Sequence, residues 1–305
     1  MKLDGRRESS NVEDRRGGGG FSSSSGSRMS TGKKGGCAGI ITLIIGAVIW
    51  YATGDSSMFF SNVSNMNNNQ TVEAPATRTS TGNTAQSDEL KKFASQVLAS
   101  TEDVWTNIFK QNGMQYNKPT MVIFSDAVNT ACGSASSDTG PFYCSGDKCL
   151  YLDLSFFATM KKQLGAGGDF AYAYVIAHEV GHHIENELGL LSQLHRKMDQ
   201  CRSEAEANKI SVRIELLADF YAGIWGYYEN KTFKSLEDGD LEEAINCAHQ
   251  IGDDYLQKSA GYRQVRPEAF THGTSQQRMK WLKLGLTTGD ISKGNQILSL
   301  PESQL

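Results

Sequence analysis

Residues 178–182 read His178-Glu179-Val180-Gly181-His182, inside the run Asp169-Phe-Ala-Tyr-Ala-Tyr-Val-Ile-Ala-His178. That run has helical texture, and on an α-helix residues four apart stack on one face. His178 and His182 can therefore aim two imidazoles at one metal ion. Glu179, beside the first imidazole, can reach a water held there. Two histidines and an adjacent carboxylate in this spacing are the pattern of zinc hydrolases: two ligands and a general base.

Such a site needs a third protein ligand and an open fourth position. Glu215 is the candidate, in Arg213-Ile-Glu215-Leu-Leu-Ala-Asp219. Glu215 and Asp219 are four apart and share a helix face. Glu215 can bind the metal while Asp219 accepts a hydrogen bond from the outward nitrogen of a ligand histidine. The reverse assignment, with Asp219 as ligand, stays open. A third histidine ten residues after His178 would define another class, but Leu188 occupies that position.

His183 is one residue off the ligand face, and His195 and His249 belong to polar helices. The implied reaction is hydrolysis by a zinc-activated water, with Glu179 taking a proton from the water and passing it to the leaving amine. The developing oxyanion needs a donor. His272, in Phe270-Thr-His272-Gly273, is the best candidate, because a loop running into a helix can place it over the metal. Tyr143, Tyr221 and Tyr262 are weaker candidates. Glu179 and Glu215 both stand in largely apolar helical runs, where unpaired charge is costly and a metal would offset it.

The elements that must position these residues follow from the texture of the 305-residue chain. Net charge is −4 and the pI about 5.9, which gives no reason to expect nucleic acid as a partner. Residues 1–35 carry eight Lys/Arg, a glycine run and a serine run, and read as a flexible basic tail. No charge occurs between Gly35 and Gly54, and this apolar stretch ends in Trp50-Tyr51. As a helix it is roughly 30 Å long, one hydrocarbon thickness.

The reading is a transmembrane helix over 36–54, and the basic flank puts the N-terminus inside and the later chain outside. The location expected is a bacterial cytoplasmic (inner) membrane, crossed once. Residues 55–87 are a Ser/Asn/Thr-rich linker. Residues 88–292 form the folded domain, and 293–305 a polar, loose tail.

Within the domain, Leu90 to Ile108 recur at helical spacing, and Thr120–Phe124 and Leu150–Leu154 read as strands. A short helix follows from Ser155 to Gly165. Residues 190–228 are helical with a break near Cys201, and 241–257 and 276–286 are further helices. A domain outside the cytoplasm favours disulfides. Cys132 with Cys144, flanking a Gly/Ser-rich loop, is the first expectation, and Cys201 with Cys247 the second.

The motifs in series resemble the bacterial putative neutral zinc metallopeptidase family, the membrane-anchored YpfJ-type proteins. The resemblance runs nearly end to end. It rests on Arg6–Arg16 (RRESSNVEDRR), Gly140–Cys144, His178–His183, Ser211–Asp219, Gly252–Asp254 and Phe270–Gly273. Phe220 stands where the family pattern has Cys, which leaves the pairing of Cys201 or Cys247 open.

The resemblance implies an α+β, zincin-like metallopeptidase domain, mostly helical with a small sheet, behind the N-terminal transmembrane helix. It implies one Zn2+ ion and a peptide or protein substrate. An edge strand would line the cleft and pair with the peptide, and Leu150–Leu154 is the candidate. A zinc hydrolase of a non-peptide amide and a non-catalytic envelope scaffold are the alternatives.

Overall fold

The computed structural model describes residues 1–17 and 84–305. A four-stranded sheet has the order β1-β2-β6-β5, from β1 (Val12–Asp14), β2 (Thr120–Phe124), β6 (Cys149–Asp153) and β5 (Phe142–Cys144). β1, β2 and β6 are parallel, and β5 runs antiparallel to β6. A small hairpin, β3 (Ala127–Thr130) with β4 (Gly133–Ser136), stands apart. β2 is apolar from Met121 to Phe124 because both of its faces are covered there. Met121 and Ile123 join the main helical core, while Val122 and Phe124 pack with Val128 and Tyr151 on the other face.

Helix α1 (Thr84–Gln111) buries Ala94, Val97, Leu98, Val104, Trp105 and Ile108, the stripe its periodicity foretold. α2 (Ser155–Thr159) widens into a π-turn over Met160–Leu164, ended by the left-handed Gly165. α3 (Asp169–Glu187) carries the histidine pair and is buried on most of its circumference. After α4 (Leu190–Asp199), Ser203 caps α5 (Glu204–Phe233) by accepting from the Glu206 backbone. The 241–257 segment is two helices, α6 (Asp240–Gln250) and α7 (Asp253–Ser259), and α8 is Ser275–Thr288.

Glycines let the central helices touch. A side chain at Gly181 would put its Cβ 2.8 Å from the Ala218 carbonyl of α5. Cβ atoms at Gly223 or Gly285 would clash with the backbones of Leu282 and Phe220, so α5 and α8 also meet backbone to backbone.

Several expectations are corrected. First, residues 1–17 of the supposed flexible tail are docked. The backbone of Met121 donates to Asn11 and that of Arg15 to Ile123, at 2.8 and 2.7 Å. Met1 and Leu3 enter the main core. Arg7, Ser9 and Asn11 donate to Glu102, which is 1% exposed, and Arg6 donates to the fully buried Glu229. The arginines that read as tail charge are the counter-ions of buried carboxylates. Leaving either carboxylate without them would cost about 3–5 kcal/mol. The Met1 ammonium lies against Asp169 and Asp240.

Second, residues 293–305 are packed as well. Helix α9 (Asn295–Ser299) buries Ile297, and Arg213 donates to the carbonyls of Ile297 and Leu300. Lys280 holds the carbonyls of Gln304 and Leu305. Third, the strand at 149–153 lies between β2 and β5, and the cleft-side edge is β5.

Cys132 and Cys144 are bonded, with Cα atoms 5.9 Å apart. Among the described residues Cys201 and Cys247 are both free and are not bonded to each other, contrary to the second expected disulfide. Cys247 is buried in the core, whereas Cys201 sits in the turn after α4. The expected membrane helix at 36–54 and most of the linker lie outside the described residues. Among the described residues no helix is long and apolar enough to cross a membrane.

Candidate metal centre

α3 and α5 cross at Gly181 and Ala218, which sets the face of His178 and His182 against that of Glu215 and Asp219. The Glu215 Oε2 lies 3.2 Å from His178 Nε2, and Oε1 lies 3.7 Å from His182 Nε2. One ligand atom from each of the three lies within 4.8 Å of the other two.

The far nitrogens are fixed from behind. His178 Nδ1 donates to Asp219 Oδ1 at 2.8 Å, and His182 Nδ1 donates to Glu185 Oε2 at 3.0 Å. Carboxylates only accept, so each ring presents Nε2 toward Glu215. Two imidazole nitrogens and one carboxylate oxygen, converging with their outer nitrogens anchored, fit a zinc ion with an open coordination position.

Asp219 faces away from the centre. Its Oδ1 also accepts from Tyr174 Oη at 2.6 Å, and both oxygens accept from Arg278, at 2.8 and 2.9 Å. Burial would raise this carboxyl, but Arg278 and His178 hold it well below the usual carboxylate range. Burial likewise opposes ionisation of Glu215, and His272, His182 and His178 overcome it. For His178 burial works downward, yet Asp219 and Glu215 push it up to about 10, so in the metal-free pocket it holds a second proton.

Glu185 is different. Burial pushes it up to about 7 against the pull of His182, and its Oε1 has no hydrogen-bond partner among the described residues. Burial also raises Glu179, opposed by His178 and His182, the direction that suits a group exchanging protons near neutrality.

His272 is brought to the cluster, with Nε2 4.0 Å from Glu215 Oε2. Its loop is clamped by Asp253 at the start of α7. The backbone N–H groups of Thr271, His272 and Gly273 all donate to Asp253 Oδ2, at 2.8, 2.7 and 3.0 Å. Glu179 and His272 line one cavity of about 150 Å3 with His178, His182, Glu215 and Arg278.

Of the tyrosine candidates, Tyr143 lines that cavity. Tyr221 is buried edge-on against Trp105, and Tyr262 is exposed. His183 is buried away from the cluster, between Tyr143 Oη and the Asn117 carbonyl.

Sequence reasoning missed Glu185, Tyr174, Arg278 and Asp253. Glu185, three residues after His182, carried a usable signal, because that spacing shares a helix face. Arg278 carried none: it stands 59 residues from Asp219 and meets it only through the α5–α8 crossing.

The fold and cluster define a helical α+β protein with a two-histidine, one-glutamate centre. The chain belongs to the family described as "Putative neutral zinc metallopeptidase", whose profile matches residues 1–297. It is 44% identical over 297 residues to "Uncharacterized protein YpfJ" of Escherichia coli (strain K12), covering 97% of this chain and 98% of that one. It is 42% identical over 185 residues to "Uncharacterized protein Rv2575" of Mycobacterium tuberculosis (strain ATCC 25618 / H37Rv), covering 57% of this chain and 61% of that one. No solved structure matches the chain.

Proposed function

We propose that the chain is a zinc-dependent peptidase in which His178, His182 and Glu215 hold one zinc ion and Glu179 is the general base. The observation that carries this reading is the convergence of three ligand atoms within 4.8 Å, with Glu179 on the wall of the same cavity. Zinc held there supplies Lewis acidity toward a water and the scissile carbonyl. Glu179 accepts a proton as the water oxygen adds to the carbonyl carbon. It returns that proton to the nitrogen as the C–N bond breaks. His272, held over Glu215 by the Asp253-clamped loop, donates toward the carbonyl oxygen as charge develops on it. Asp219 and Glu185 are positioning residues that fix the two imidazoles.

A structural zinc site would use four protein ligands, whereas the cluster among the described residues offers three. The substrate side is supported by β5, which among the described residues pairs with β6 on one side only. Pro141, Phe142 and Tyr143 of that strand and its approach line the cavity. An extended peptide laid along β5 adds main-chain hydrogen bonds at the free edge.

The test uses the full chain. Bound metal is measured, and cleavage of a peptide library is compared for the wild type and Glu179→Gln. The expected result is one zinc per chain in both and cleavage by the wild type alone. A wild type without stoichiometric zinc sinks the reading. Zinc without peptide cleavage moves the assignment to a non-peptide amide or a scaffold.

A further inference from the structure

The cavity has a second wall that the hydrolytic residues do not use. Phe156, Met160 and Leu164 come from α2 and its π-turn, Val175 from α3, and Ile251 and Leu256 from the α6–α7 corner. We propose that this wall receives an apolar side chain larger than alanine, carried by the substrate residue next to the scissile bond. The proposal rests on the peptidase reading. These six side chains give that part of the cavity a hydrocarbon lining, and covering it with apolar groups is favourable. Arg278, the one lysine or arginine among the lining residues, is committed to Asp219, so no free cation there selects an acidic side chain. Burying a substrate charge against this wall without a partner is unfavourable.

The test is calorimetric binding of hydroxamates to the zinc-loaded full chain. Their zinc-chelating end is constant and their arm is methyl, isobutyl or benzyl. The isobutyl or benzyl compound binds at least tenfold more tightly than the methyl one, and Leu164→Glu removes that gain. Equal affinity across the series, or an unchanged gain in the variant, overturns the pocket while leaving the zinc centre standing. A chain that takes up no zinc overturns both.

A second observation is independent of the site. Residues 12–14 are a strand of the same sheet as 120–124, and the described chain leaves and returns at one place. Arg16 beside the exit donates to Ser87 Oγ at 2.5 Å and Asp88 Oδ1 at 2.8 Å, beside the return. We infer that residues 1–17 and 84–305 lie on the same side of any membrane the chain is attached to.

Sequence rules placed these two parts on opposite faces. That arrangement would separate β1 from β2 and Arg6 and Arg7 from the buried Glu229 and Glu102. The test is labelling with a membrane-impermeant maleimide in intact and in permeabilised cells stripped of their outer layers. It uses the full chain with Cys37→Ser, Cys149→Ser and Cys201→Ser, carrying Asp4→Cys or Tyr262→Cys, both at exposed positions. The two cysteines become accessible in the same preparation. Labelling of one in intact cells and of the other only after permeabilisation overturns the inference.

Discussion

Two carboxylates stand behind the two histidines, in unlike surroundings. Asp219, behind His178, is fully buried and saturated by Arg278, Tyr174 and the imidazole, so it stays ionised. Glu185, behind His182, is equally buried, but among the described residues it has no cation beyond the imidazole and one oxygen lacks a partner. The hydrogen bond to the ring is nearly the same length in both, at 2.8 and 3.0 Å. The difference lies in who neutralises the charge. Asp219 belongs to a network that also locks α8 to α5 and α3, whereas Glu185 sits on the helix of the histidine it serves. One support is part of the tertiary structure, and the other is local.

That contrast can be broken by substitution. With the proposed ligand set, Glu215→Ala lowers zinc affinity most, by more than the roughly 10–100-fold that loss of a supporting hydrogen bond costs. Isothermal titration measures it, and a smaller loss would take Glu215 out of the ligand set.

Asp219→Asn comes next. Zinc affinity falls toward the upper end of that 10–100-fold range. Stability falls by about 3–5 kcal/mol, because Arg278 is left as an unpaired buried charge. Urea unfolding of the metal-free chain reads the second effect, and the network assignment fails if the variant is as stable as the parent.

Glu185→Gln sits lowest. Zinc affinity drops about tenfold with little change in stability, since no second cation loses its partner. A stability loss as large as that of Asp219→Asn would erase the distinction between the two supports.

The same contrast has a pH signature. In the metal-free chain His178 is raised from 6.5 to about 10. Its stabilising contribution is therefore complete below pH 6.5 and is lost as pH rises through about 10. Zinc must displace that proton, so binding near pH 8 releases protons. Titrations in buffers of different ionisation enthalpy report this, and an absence of proton release would mean that His178 is already neutral. Removing the carboxylate charge with Asp219→Asn reduces the release.

Glu102, where the N-terminal segment docks, titrates in the opposite sense. Burial works to raise it, but Ser9, Asn11 and Arg7 hold it below its ordinary 4.5. Its contribution is present above pH 4.5 and fades as acid takes pH below that. Acid unfolding of Glu102→Gln should begin from a less stable state and show a shallower loss.

The histidine pair, its adjacent glutamate and the Glu215–Asp219 pair were legible because helical spacing is local. Four residues make one turn wherever the helix lies. The Cys132–Cys144 pairing was legible for a similar reason, as both flank one short loop. The strands at 120–124 and near 150 were legible as apolar runs, but which of them forms the edge was not, because strand order is a long-range property.

The N-terminal arginines were misread because a charge run looks the same whether it meets water or a buried carboxylate. Glu102 and Glu229, its partners, lie far away in the sequence. The sequence by itself therefore determined which histidine and carboxylate side chains share a helix face. The tertiary structure decided whether those side chains converge, which carboxylate faces the centre, and what neutralises the other. Those outcomes depend on helix crossings at Gly181, Gly223 and Gly285, where backbones approach closely because no side chain stands between them.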